Sequence, residues 1–268
     1  MIPDKKWNNH IVYLIIFIIT LPIGCSSLRQ SPETKPFFKE DASQLVSSLR
    51  EKNNEIDSFQ GIGKINFEGE EGELASNLLI VGKRPCKARI EVTHSWGKPL
   101  FHIVIDDRDI SVLSLMEKRF FRGHGGSLNI DQLFLLDLDP NSIWGILAGR
   151  VPVLGEAERA VRLESNEIAL LNSNSEVVEI ICFSSKPVFP KSVYFPMKEI
   201  TITLSKFRKM TSGYSPLLIE IREEKRNRQV KIKYKNFEVN SPVPDEVFVL
   251  NPLPGFEIIE IDKPIKFP

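Results

Sequence analysis

Four groups of side chains are the places to look for chemistry, and in each the spacing argues against it. The histidines His10, His94, His102 and His124 are scattered, and His94 and His102 stand eight residues apart with no cysteine or carboxylate at ligand spacing. A metal site is therefore not expected. Asp106, Asp107 and Asp109 cluster between two strand-like runs, where a solvated hairpin explains them better than an acid–base pair or a calcium loop. Gly123-His124-Gly125-Gly126 lacks the Lys-Ser/Thr that follows a phosphate-cradling loop and reads as a flexible connection. Three cysteines are too few for a disulfide framework; Cys86 and Cys182 either pair or remain buried thiols. No nucleophile, base and orienting group can be assembled, so neither an enzyme nor a cofactor is expected.

Cys25 sits in a different setting. Lys5 and Lys6 precede an apolar run over residues 11–23, 13 residues long, that ends in Thr20-Leu21-Pro22-Ile23-Gly24-Cys25. A short positive region followed by such a run is the build of a secretory signal. It falls short of the roughly 20 residues that a membrane-crossing helix needs. Gly24-Cys25 resembles the bacterial lipoprotein signal, which implies that Cys25 becomes the lipidated first residue of the mature chain. The alternative is an ordinary secreted protein with a cysteine close to the cut. With two or more acyl chains the anchor is stable, because each buried methylene contributes about 0.8 kcal/mol. In lipoproteins an aspartate after the cysteine tends to retain the protein in the inner membrane. Ser26 at that place implies the outer membrane, on its periplasmic face.

The expected organisation is a signal over residues 1–24, a lipidated tether over 25–40 containing Pro32 and Pro36, and one domain over 41–268. Loss of the signal removes Lys5, Lys6 and Asp4 and leaves 33 basic and 34 acidic residues, a balance that gives nucleic acid no attraction.

The domain must be mainly β. Ala88, Ile90 and Val92 alternate with Lys87, Arg89, Glu91 and Thr93, and the same period returns at 200–204, at Leu217, Ile219 and Ile221, and at 230–235. Such strands suit an antiparallel sheet with one wet face. Residues 78–81 and 100–105 are apolar on both faces, as in strands buried on both sides. Asp41 reads as the N-cap of a short amphipathic helix carrying Leu45, Val46 and Leu49, with Gln44 completing a capping box. A short helix is expected over 128–136. A second begins at Asp139-Pro140, carries Ile143, Trp144, Ile146 and Leu147, and stops at Gly149. An apolar helix among strands needs a concave sheet to lie in, either as core or as a lid.

Two stretches carry a more specific likeness. Thr93-His94-Ser95-Trp96-Gly97-Lys98-Pro99-Leu100 between two strands, and Asn141-Ser142-Ile143-Trp144-Gly145-Ile146-Leu147-Ala148-Gly149-Arg150-Val151-Pro152 after a short apolar helix, resemble the outer-membrane lipoprotein receptor family LolB. The likeness covers roughly the first half of the mature chain, from the helix at Asp41 to Val151-Pro152. It thins beyond Gly155, and residues 187–196 look like an added region. The closing stretch from Asn236 to Phe256 is similar to the wider LolA and LolB group.

The resemblance implies an unclosed antiparallel β-barrel, a half-barrel covering an apolar cavity, with short helices as a lid. It further implies that acyl chains bind against Ile90, Val92, Phe101, Ile103, Ile143, Trp144 and Leu147, and that cargo arrives from a periplasmic lipoprotein carrier of the LolA type. A membrane-insertion loop follows from it as well, made of Trp96, Gly97, Pro99 and Leu100. Trp96 stands where the family carries leucine, and indole has its own preference for the bilayer interface. Ser95 to Pro99 has the composition of a protruding turn, so Trp96 is expected to be exposed. A non-transferring binding module on the same scaffold, such as an envelope sensor or assembly factor, is the alternative function.

Overall fold

The structure is a computed structural model and describes residues 42–70, 72–107, 109–124, 140–155, 157–164, 166–185, 189–210 and 213–261. Cys25, the signal, the tether, Asp41 and the expected helix over 128–136 lie outside these residues.

The elements in chain order are α1 (Ala42–Asn54), β1 (Ser58–Gly69), β2 (Gly72–Lys83), β3 (Lys87–His94), β4 (Pro99–Asp106), β5 (Asp109–Ser114), β6 (Arg119–His124), α2 (Pro140–Leu147), β7 (Arg159–Glu164), β8 (Glu167–Leu171), β9 (Val177–Phe183), β10 (Pro190–Phe195), β11 (Ile200–Met210), β12 (Gly213–Glu223), β13 (Arg228–Val239), a 3-10 turn (Asp245–Phe248) and β14 (Glu257–Ile261). The strands form one sheet in the order β14-β6-β5-β4-β3-β2-β1-β13-β12-β11-β10-β9-β8-β7. Every neighbour pair is antiparallel except β14 on β6. β14 and β7 stay at opposite edges, so the sheet is an unclosed half-barrel and not a barrel. Residues 190–195 of the apparent insertion are an integral strand, β10, paired to β9 and β11.

Alternation does what the sequence predicts in β3, where Ala88, Ile90 and Val92 are buried, and in β13, where Val230, Ile232 and Tyr234 are buried. These face a single core that takes in the inner face of the sheet and both helices. The tight β2–β1 approach needs glycine: a Cβ at Gly82 would collide with the ring of Phe59.

The two runs that read as apolar on both faces part company. In β4, Leu100, Ile103, Val104 and Ile105 are all buried. Val104, Leu113, Phe120 and Phe248 are buried yet outside the main core, because the chain after β13 crosses the outer face of β3 and β4 as a strap. Lys83 donates to Val243 O and Asp245 along that strap, and Arg89 donates to Val247 O and Val249 O. In β2 the expectation fails: among the described residues the strap reaches only its end, at Lys83, and Leu79 is exposed.

Candidate functional site

The concave face is occupied by α2, and its ends explain its length. Pro140 opens it, with the ring-fixed φ suited to a first helical turn. At the other end Arg150 N–H donates to Gly145 O and Gly149 N–H to Ile146 O, both at 2.8 Å, with Gly149 at φ 75°. That is a Schellman stop, which a left-handed glycine makes possible. A side chain there would also press on Pro216 of β12.

Between these ends Ile143, Trp144, Ile146 and Leu147 are buried. Trp144 is fixed on three sides. Its ring lies 5.1 Å from Phe59 of β1, its indole N–H donates to Lys87 O at 3.1 Å, and the Arg84 guanidinium sits 4.9 Å over its face. Arg84 also donates to Ile56 O and to Asn53 O, each at 2.6 Å, and so ties the C-terminal end of α1 to α2. Favourable charge at a helix C-terminus and a cation over an aromatic face are combined in one side chain. The hydroxyl of Tyr234 on β13 donates to Leu147 O at 3.0 Å. Leu147 O belongs to the last turn, whose carbonyls no helix amide can reach.

Of the expected cavity and lid residues, Ile90, Val92, Ile103, Ile143, Trp144 and Leu147 are buried in one core, and Phe101 is half-buried against it. The structure thus brings all seven together, in a closed arrangement with α2 in place. A pocket of about 180 Å³ lies elsewhere, lined by Gln60, Ile62, Leu79, Val81, Asn236 and Glu238 on the outer side of β1, β2 and β13, with backbone of the strands as its floor.

The loop residues divide. Gly97 N–H donates to His94 O and His94 N–H to Lys98 O, both at 2.7 Å, which closes a three-residue hairpin loop with Gly97 at φ 91°. Trp96 stands at its tip, 73% exposed, with its ring stacked on His94 at 3.3 Å between centroids. Leu100 corrects the expectation: it is 6% exposed, inside β4. Pro99 opens β4 and is half-buried. Only Trp96 and Gly97 of the four therefore belong to the protruding tip.

Asp106, Asp107 and Asp109 line the β4–β5 hairpin, with Asp106 3.4 Å from Lys87. Cys86 and Cys182 are not joined in a disulfide, so the open choice between pairing and separate thiols falls to the latter, with Cys86 buried and Cys182 half-buried. Among the described residues no group of three His, Cys, Asp or Glu could hold a metal ion, and no helix is long and apolar enough to cross a membrane.

One residue escaped the sequence reading. Glu179 on β9 is fully buried, accepts the N–H of Leu154 at 3.1 Å, and has its other oxygen without a hydrogen-bond partner. Burial pushes its carboxyl up to about 8, against smaller opposing effects of the Leu154 amide and of Arg50. Its neighbours in sequence read simply as a strand, and no local signal marks the carboxylate as buried.

No protein-family model matches the sequence, and neither does any curated protein. Among solved structures, the chain is similar in fold to a LolA superfamily protein from Nitrosomonas europaea, with TM-score 0.52 and 17% identity over 76% of this chain and 97% of that one. It is similar also to a putative outer membrane lipoprotein-sorting protein domain from Vibrio parahaemolyticus, with TM-score 0.50 and 6% identity over 78% and 97%. A DUF1329 family protein from Desulfovibrio piger matches with TM-score 0.52 and 9% identity over 78% and 98%. The class defined by this architecture is the LolA/LolB-like half-barrel, a scaffold with an apolar concave face.

Proposed function

We propose that this protein is an outer-membrane lipoprotein, anchored through Cys25 after loss of residues 1–24, that shelters acyl chains on the concave face of its half-barrel and passes lipoproteins into the membrane. The tether over 25–40 gives the domain over 41–268 its reach. The observation that carries the reading is the pairing of a removable-sized helix in an apolar concavity with a tryptophan exposed at a hairpin tip of the same sheet. Acyl chains would enter as α2 lifts, lying between Ile90, Val92, Phe101 and Ile103 of the sheet and Ile143, Trp144 and Leu147 on the helix. Trp96 would enter the bilayer interface, where indole is favoured. The expected donor is a soluble LolA-like carrier.

Transfer of a lipoprotein from such a carrier to liposomes tests this, with wild type, Trp96→Glu and Trp96→Leu compared at matched stability. Glutamate places a charge where desolvation is costly and should impair delivery while leaving cargo capture intact. Leucine should preserve much of the activity. Equal transfer by all three would remove the insertion role of Trp96.

The second reading, a binding module that does not transfer, draws on how firmly α2 is held by Tyr234, Phe59 and Arg84. The same transfer assay separates the two, because a lipid or protein binding module of this kind would capture cargo without delivering it to liposomes; lipid mass spectrometry after gentle extraction tests whether acyl lipid or lipoprotein is bound at all.

A further inference from the structure

Trp96 does not stand alone. β3 and β4, then β5 and β6, are consecutive hairpins of one sheet, so their turns lie two strand spacings apart, about 10 Å. The second turn carries Met116, 69% exposed. Leu115 N–H donates to Leu100 O at 3.0 Å, joining the two turns at their bases. At the same strand end the chain enters β14 through a turn in which Phe256 N–H donates to Leu253 O, and Glu257 N–H donates to Lys118 O at 3.0 Å. That third turn carries Leu253, 44% exposed. Three neighbouring turns thus each present a large apolar side chain to solvent.

The charges beside them are sorted. Glu117 and Glu257 are held by Arg119 at 3.5 and 3.2 Å, whereas Lys98 and Lys118 enter no ion pair among the described residues. The next turn along the sheet, β1–β2, is flanked by Glu68, Glu70 and Glu73, which marks where the row ends. Apolar side chains flanked by unpaired lysines are what interfacial segments offer to lipid. Separate projecting tips give a peptide no groove, but they can penetrate a fluid surface.

We propose that the β3–β4, β5–β6 and pre-β14 turns form one membrane-docking edge, in which Trp96, Met116 and Leu253 enter the interface of an anionic bilayer and Lys98 and Lys118 meet its phosphates. This rests on the reading of Trp96 as membrane-facing and extends it from a single wedge to an edge that also sets the orientation of the half-barrel on the membrane.

The test uses the full lipidated protein reconstituted into vesicles of phosphatidylethanolamine and phosphatidylglycerol, with or without brominated acyl chains that quench nearby indole. Wild type reports on Trp96. Trp96→Phe leaves the buried Trp144 as the mature domain's background, and Trp96→Phe combined with Met116→Trp or with Leu253→Trp reports on the other two turns. The expected result is a blue-shifted emission quenched by brominated lipid at all three positions, in each case beyond the Trp96→Phe background that Trp144 supplies. Quenching at position 96 but not at 116 or 253 would overturn the edge while sparing the reading of Trp96. Quenching at none of them would overturn both. Lys98→Gln with Lys118→Gln should reduce the quenching to the level seen on phosphatidylcholine vesicles; unchanged quenching would overturn the phosphate contacts.

Discussion

Tyr234→Phe isolates the restraint on α2. The substitution keeps the ring, stacked 4.7 Å from Phe237, and removes only the hydroxyl that donates to Leu147 O at 3.0 Å. Tyr234 is buried, so no water replaces the lost donor, and the carbonyl is left unpaired. Such a loss costs about 1–3 kcal/mol, a rise of roughly 5- to 150-fold in the population with α2 displaced. The measurement is native-state hydrogen exchange at the amides of Ala148, Gly149 and Arg150, which close the end of α2, against amides in the middle of β1 as a reference for global opening. The α2 amides should exchange faster while those of β1 change less. Uptake of a fluorescent fatty acid should accelerate by a similar factor. If the α2 amides follow β1 step for step, α2 does not open apart from the sheet. If they accelerate but uptake does not, α2 is core and not a lid, and the binding-module reading gains.

Three further outcomes are expected. Cys25→Ala should move the protein from the membrane fraction to the soluble one, and retention in membranes would mean that another segment is the anchor. Glu179 should make stability depend on pH: between its ordinary value of 4.5 and its folded value of about 8, the unfolded chain has lost a proton that the native state keeps. Stability therefore falls as pH rises through that window, by an amount on the order of a few kcal/mol, and Glu179→Gln should flatten the slope in denaturant titrations at pH 5 and pH 8. Gly82→Ala should destabilise by about 1–3 kcal/mol, because a Cβ would displace the Phe59 ring that supports Trp144; an unchanged thermal midpoint would show that the ring can shift freely.

What could be read from the sequence was whatever depends on neighbours along the chain. The alternation of Ala88, Ile90 and Val92 assigns a strand and its buried face, because side chains in a strand take opposite sides in turn. Pro140 and Gly149 bracket α2 because a fixed φ suits the first turn and a left-handed residue the last. A glycine and a tryptophan in a short loop between strands place Trp96 outside. The tertiary structure decided everything that depends on what crosses each face. Leu79 and Val104 both sit in apolar runs, yet Leu79 is exposed and Val104 buried, since the strap after β13 covers β4 but meets β2 only at Lys83. Leu100 follows Trp96 by four residues but lies inside the fold, because β4 carries it into the main core. Glu179 is an ordinary carboxylate until the segment around Leu154 closes over it, and Leu253 becomes a neighbour of Trp96 and Met116 only because β14 returns to pair with β6. Periodicity states which way a side chain points; only the packing of distant segments states what, if anything, it meets there.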